Sequence, residues 1–506
     1  MNDVVIGLDI GTSSTKAVAV DSAGVVCARV TSAHDVVLPA PGRVEQDAEA
    51  IWWHGACATL RELSAQLSVA RQHVAALAVS GLGPCVLVCD ESMRPLHDAI
   101  LYGIDTRATV QIERLNQALG EDTILSRGGS RLTSQAAGAK LLWLRDNEPE
   151  LWSRAAGFYS ASSFLIGRLT GEYILDHHSA SQFNPLYDLE AAGWAADWAE
   201  SLIGDLPLPR LVWSSEICGT LHDAGASATG LPAGTPILGG TIDAWAEAHS
   251  VGVRGAGDLL LMYGSTMFLI APAQPGARHP GLWRTAGLRP GSETLAAGMA
   301  TSGLLTTWLS DLTSTPIQDL AARAAEIEPG AEGLLLLPYF SGERSPLFDP
   351  GARGVALGLH LGHGPAHLMR AIYEGTAFSV RHVLNEFDRT GGPDTPPPDW
   401  RITIAGGGTK SRPWMQLVSD ITGRSQQVPE ETIGASYGDA QLAAAATGMI
   451  DGETDWTKIA EVIEPRSELA AGYERRFATY LALYPATRGL LDETAAQPQG
   501  ESLARV

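Results

Sequence analysis

Apolar residues in the first thirty positions fall into short runs broken by small and polar residues. VVIGL (residues 4–8) and KAVAV (16–20) have the β-branched, apolar character of strands, and VVCARV (25–30) follows a turn at DSAG (21–24). From residue 49 to about 67 the spacing changes to that of a helix, with Ile51, Trp52, Leu60 and Leu63 at core positions. VAALAVSGLG (74–83) reads as a buried strand ending in a glycine-rich loop, and helices are predicted over 110–119, 140–145 and 160–169. TPILGGTIDAWAEAHSVGV (235–253) predicts a buried strand, a turn and a helix beginning near Asp243. Asp243 is also a natural N-cap for that helix.

The second half opens as the first does. DLLLMYGSTMFLIA (258–271) is an apolar strand, a short turn and another apolar strand, and Gly264 stands half the chain length beyond Gly11 in a chain of 506 residues. Such self-similarity predicts a duplication: two related α/β halves, each aiming a turn at a shared cleft. The glycine-rich GVRGAG (252–257) marks the boundary, giving domains 1–250 and 251–490. The second half continues with a strand at 334–337, a helix over 367–388, a surface loop at 391–398 and strand RITIA (401–405). That strand runs into Gly406, Gly407 and Gly408 and a helix from about Ser411. Residues 491–506 are polar with Pro and Gly, and are expected to form a disordered tail.

Charge narrows the range of partners. With 35 basic and 57 acidic residues the net charge is −22, which disfavours nonspecific binding to nucleic acid or anionic membrane. There is no apolar run of membrane-spanning length and no signal-peptide pattern. The five cysteines form no CxxC pair, so a reducing cytoplasm is the simplest compartment and a structural zinc site is not expected.

Candidate chemistry gathers where strands end. Glycine–hydroxyl turns follow Asp9, Tyr263 and Ala405. Glycine lets backbone approach a ligand closely, and amides and hydroxyls donate to phosphate oxygens. An ordinary solvated hairpin is the alternative for the first of these turns. Neither a GxxxxGK[ST] loop nor a strand–GxGxxG–helix is present, which sets aside the two commonest nucleotide motifs. Asp9 interrupts an apolar strand where a bare carboxylate is costly, and so requires donors, a cation or a turn-capping role. Asp243 combines capping with the position of a general base. Asp105 and Arg107 in LYGIDTRA read either as a surface ion pair or as polyol ligands.

Together these segments resemble the FGGY family of carbohydrate kinases over nearly the whole chain, with the strongest likeness to its xylulose-phosphorylating members. The likeness rests on IGLDIGTSSTKAV (6–18), ILYGIDTRA (100–108), KLLWLRDNEPE (140–150) and ILGGTIDAWAEAHSVGV (237–253). It continues through YGST (263–266), LLPYFSGERSPLFDPGARGVALGL (336–359), HLMRAIYEG (367–375), IAGGGTKSRPWMQLVSDITG (404–423) and GASYGDAQLAAAATG (434–448). The resemblance implies two actin-like, ribonuclease-H-like ATPase domains with an interdomain cleft, ATP and Mg²⁺, a small sugar or polyol acceptor, and compatibility with a homodimer. It implies Asp243 as catalytic base and Asp9 as the residue positioning Mg²⁺. It assigns Gly11, Thr12, Ser13, Ser14 and Lys16, with Gly264, Ser265 and Thr266, to the phosphates. Gly406, Gly407, Gly408 and Ser411 fall near adenosine, and Leu82, Gly83, Tyr102, Asp105, Arg107 and Asp243 on the acceptor side.

Three departures bear on the acceptor. Leu82-Gly83-Pro84-Cys85 lacks the Gln and His usual after this strand, the Tyr102–Arg107 segment is one residue longer than the family's, and Ala137 replaces Ser, Thr or Pro. D-xylulose, another pentulose, a hexulose, a tetritol and glycerol all remain open. Filament proteins and chaperone ATPases of the same fold form the alternative class, one that the ERSP segment (343–346) and Asp243 speak against.

Overall fold

The computed structural model describes residues 3–274, 277–391 and 396–495. Contacts divide the chain into two compact units, Met1–Gly252 with Arg284–Thr294 and Ile433–Trp456, and the remainder. The break after Gly252 lies beside the expected boundary, but the chain returns to the first unit twice. The second return has a clear cause. Helix Ala435–Ala446 is rich in small residues, and its Tyr437, Ala440, Leu442 and Ala443 cluster with Val5, Val18, Val20 and Ala78 of the first unit.

In the first unit, strand Asp3–Ile10 pairs antiparallel with Ser14–Val20 and parallel with His73–Gly81, which also pairs in parallel with Pro236–Leu238 and Thr241–Ile242. Ile6, Leu8, Leu77 and Val79 are fully buried with Trp52, Leu60 and Phe164. The predicted helix after residue 49 starts as a π-helix at Ala48–His54, capped by Asp47, and continues as an α-helix at Gly55–Ala70.

The second unit repeats the arrangement. Strand Asp258–Tyr263 pairs antiparallel with Met267–Pro272 and parallel with Arg401–Ala405. Its core gathers Leu259, Leu261, Leu269, Phe378, Ile402 and Ile404. Each unit therefore opens with a hairpin laid beside a parallel strand, as the duplication predicts.

Residues 491–495 of the expected tail are helical. Helix Ala470–Ala495 carries the chain past 491, and residues 496–506 lie outside the described residues, as do 392–395 of the predicted loop. Among the described residues no helix is long and apolar enough to cross a membrane.

Candidate functional site

Three parallel strands of the first unit end side by side. In register, Asp9 faces Ser80 on one neighbour and Lys16 on the other, while Ser80 faces Thr241. Thr241–Ile242 runs directly into helix Asp243–Ser250. The carboxyl ends of parallel strands are where open α/β sheets receive ligands. Here the backbone brings Asp9, Ser80 and Asp243 to that edge. Because the strand leads straight into the helix, Ile242 is the N-cap and Asp243 the first helical residue, with its Oδ1 accepting from Ala244 N–H at 2.7 Å. The expected capping role of Asp243 is thus corrected.

Two further carboxyls join the group. Glu247 follows Asp243 by one helical turn, on the same face. Asp439, from the helix packed against the first strand, is buried and accepts from Ser80 Oγ at 2.6 Å. Very close packing holds it there. A Cβ on Gly7 would lie 1.8 Å from the Ser436 carbonyl oxygen, and one on Gly438 would lie 1.8 Å from that of Ala246.

The electrostatics are strained toward neutrality. Burial pushes Asp9 up to about 7, with Lys16 pulling it down and Glu247 adding to the rise. Asp243 is raised well above the carboxylate range by burial first and by Asp9 next. Burial also raises Glu247 and Asp439. Lys16 is the cation whose field acts on Asp9, Asp243 and Glu247, and it offsets only part of their charge. Asp9 Oδ1, buried, has no hydrogen-bond partner among the described residues. Among those residues no group of three His, Cys, Asp or Glu side chains is disposed to hold a metal ion alone.

Both predicted phosphate turns are built on one plan. In the first unit the Thr12 carbonyl accepts from Gln46 Nε2 at 2.9 Å and the Ser13 carbonyl from His34 N–H at 3.0 Å. In the second, the Gly264 carbonyl accepts from Gly303 N–H at 3.2 Å, and that of Ser265 from Ser302 and Leu304 N–H, each at 3.1 Å. In a planar trans peptide the N–H points opposite to the C=O. Holding two successive carbonyls from behind therefore turns the amides of Ser13 and Ser14, and of Ser265 and Thr266, the other way. That makes a concave pair of donors suited to an anion. Thr12 Oγ1 also bonds Tyr102 OH at 3.1 Å.

The third glycine turn has a different division of labour. Gly406 (φ 97°) would place a Cβ 2.5 Å from the Tyr263 carbonyl oxygen, and Gly408 one 2.9 Å from Trp414 and Tyr263, so both permit close packing. A Cβ on Gly407 would meet nothing within 4 Å, so this glycine borders open space. Ser411 stands at the N-cap position of the next helix without a side-chain capping bond, and its Oγ instead donates to Tyr373 OH at 3.3 Å.

On the acceptor side the structure revises two expectations. Asp105 and Arg107 are not a surface pair: Asp105 is fully buried, bonded to Arg107 Nη2 at 2.7 Å and to Val44 N–H at 2.9 Å, and Arg107 also reaches Glu45. Leu82 is a core side chain whose N–H donates to Ile10 O, and Gly83 packs on Ile242. Lys140, buried, donates to the carbonyls of Leu101 and Tyr102 and fixes that loop from behind.

Sequence reasoning missed Gln46, Ser80, Glu247 and Asp439. Glu247 had a signal in its spacing of four from Asp243. Asp439 had one as the sole acid in an alanine-rich run. Gln46 and Ser80 had none.

The family models for the FGGY family of carbohydrate kinases match this chain with their N-terminal domain over residues 4–249 and their C-terminal domain over 259–447. A xylulose kinase of Staphylococcus epidermidis is 29% identical, covering 97% of this chain and 98% of its own length. A glycerol kinase of Nocardia farcinica is 31% identical over 90% of this chain and 92% of its own. The crystal structure of xylulose kinase from Rhodospirillum rubrum superposes with a TM-score of 0.88 at 30% identity, covering 97% of this chain and all of that one.

Proposed function

The chain belongs to the FGGY family of carbohydrate kinases, and from that membership we propose that this ATP-dependent sugar kinase phosphorylates D-xylulose, giving xylulose 5-phosphate. The reading is carried by the strand-end group of Asp9 and Asp243, set in a chain similar to xylulose kinases almost end to end. Membership sets aside the filament and chaperone alternatives.

Phosphoryl transfer asks a protein mainly for alignment and charge stabilisation. Asp243 accepts the proton of the attacking hydroxyl, and its raised affinity for protons suits that task. The amides of the 11–14 and 264–266 turns bind phosphate oxygens, and Gly407 leaves room for the nucleoside. The unpartnered Oδ1 of Asp9 and the excess of carboxyls fit Mg²⁺. Asp9 would hold it, and the ion would neutralise charge on the phosphates. Asp9→Asn is accordingly expected to raise the Mg²⁺ concentration for half-maximal rate by about 10- to 100-fold. A titration superimposing on the wild type excludes the role.

All five cysteines are free thiols, which supports a cytoplasmic enzyme. A second reading, glycerol as acceptor, draws on the similarity to a glycerol kinase and on the altered Leu82–Cys85 segment. A coupled ADP-release assay over D-xylulose, D-ribulose, a hexulose, erythritol, gluconate and glycerol decides. D-xylulose is expected to give the highest kcat/KM, and a higher value for any other acceptor overturns the choice.

A further inference from the structure

The ERSP segment at residues 343–346 has no part in the chemistry above, yet it carries a buried carboxylate. Glu343 is 3% exposed, and its Oε1 accepts from the backbone N–H of Ala300 at 2.8 Å and of Arg344 at 2.7 Å. A buried carboxyl group is costly unless hydrogen-bonded, and here two amides converge on one oxygen. The neighbours of Glu343 grip the same stretch, the exit of strand Glu293–Gly298. Ser345 N–H donates to Gly298 O at 3.0 Å, and the Arg344 guanidinium bonds the carbonyl of Met299. From the other side the Thr301 hydroxyl bonds the carbonyl of Pro338.

The gripped residues lead immediately to the second phosphate turn. Met299 N–H donates to Met267 O at 2.9 Å, and three residues on, the successive amides of Ser302, Gly303 and Leu304 hold the carbonyls of Ser265 and Gly264. Those three amides are the first of helix Gly303–Thr313 and its cap. A rotation of the Ala300 peptide would swing them off the turn and release the amides of Ser265 and Thr266 from their outward orientation.

We propose that Glu343 is a positioning residue for ATP: through the Ala300 amide it locks residues 299–304, and these aim the 264–266 turn at the phosphates. The inference rests on the reading of that turn as a phosphate-binding element. It predicts a phenotype confined to the nucleotide. In Glu343→Ala the KM for ATP and the Kd for the nonhydrolysable analogue AMPPNP should rise about tenfold or more, the scale of a lost pair of buried hydrogen bonds. The KM of the acceptor identified by the panel should stay near its wild-type value. Glu343→Gln keeps an oxygen for both amides and should restore most of the nucleotide affinity. Thr301→Val loosens the same segment without touching Glu343 and should raise the ATP KM in the same direction, which keeps the test open if the alanine variant fails to fold.

Thr266→Val, in the turn itself, separates the two ideas. If neither it nor Ser265→Pro, which deletes one of the turn's amide donors, changes the ATP KM, the phosphate role of the turn fails, and with it the role of Glu343. If Thr266→Val raises the ATP KM while folded Glu343→Ala and Thr301→Val do not, the role of Glu343 alone is overturned. Equal losses for nucleotide and acceptor in Glu343→Ala, or no rescue by Gln, reduce the residue to general structure and overturn the proposal as well.

Discussion

Asp243→Ala is expected to lower kcat by about a thousandfold, the usual scale for removing a general base, while AMPPNP binds nearly as it does to the wild type. The reason lies in where the side chain stands. It is the first residue of helix Asp243–Ser250, at the mouth of the parallel strands, and the backbone amide of Ala244 bonds it. Removing it takes away a proton acceptor but no strand, turn or packed side chain. A second signature accompanies the first. Burial and the neighbouring Asp9 raise the Asp243 pKa above the ordinary carboxylate range, and the base acts only when ionised. The wild-type kcat/KM should therefore fall with decreasing pH through a titration lying above that range. An Asp243→Ala enzyme retaining near-normal kcat would remove Asp243 from the chemistry.

Gly438→Ala is expected to destabilise the first unit by about 3 kcal/mol or more, the upper range for overpacking. The added Cβ would lie 1.8 Å from the Ala246 carbonyl oxygen and 3.2 Å from Ser250 N, both backbone atoms of the helix that begins with Asp243. Backbone cannot swing aside as a side chain can, so one helix must shift against the other. That shift moves Asp243 and Asp439 together, and activity should fall alongside the first unfolding midpoint. Gly407→Ala supplies the contrast. Its Cβ meets nothing within 4 Å, so stability should change by no more than about 0.5 kcal/mol. Thermal unfolding of the two variants beside the wild type tests the pair, and equal midpoints would contradict the close helix contact.

Much of this protein is written locally. The alternation of apolar and small residues in IGLDIGTSSTKAVAV predicts the first hairpin, and the same grammar around YGST predicts the second. Strand ends followed by glycine and hydroxyl residues mark the turns because such turns need compact residues wherever the chain sits. Asp243 could be singled out by its place just after a buried strand and by the resemblance of its segment to the family. Its exact place in the helix was misjudged by one residue, because the strand runs into the helix without a separate cap.

What the chain order alone determined was the two-fold plan, the α/β class and the carboxylates and turns at the strand ends, since each is read from short local patterns, the two-fold plan from one such pattern occurring twice. Tertiary structure alone decided which distant groups share that edge: Asp439 with Ser80, Gln46 behind Thr12, and the burial that turns Asp105 and Arg107 inward. Such pairings are set by the packing of helix on sheet, where a missing Cβ at Gly7 or Gly438 permits the approach. Hydrophobic spacing along a chain carries no record of those distances.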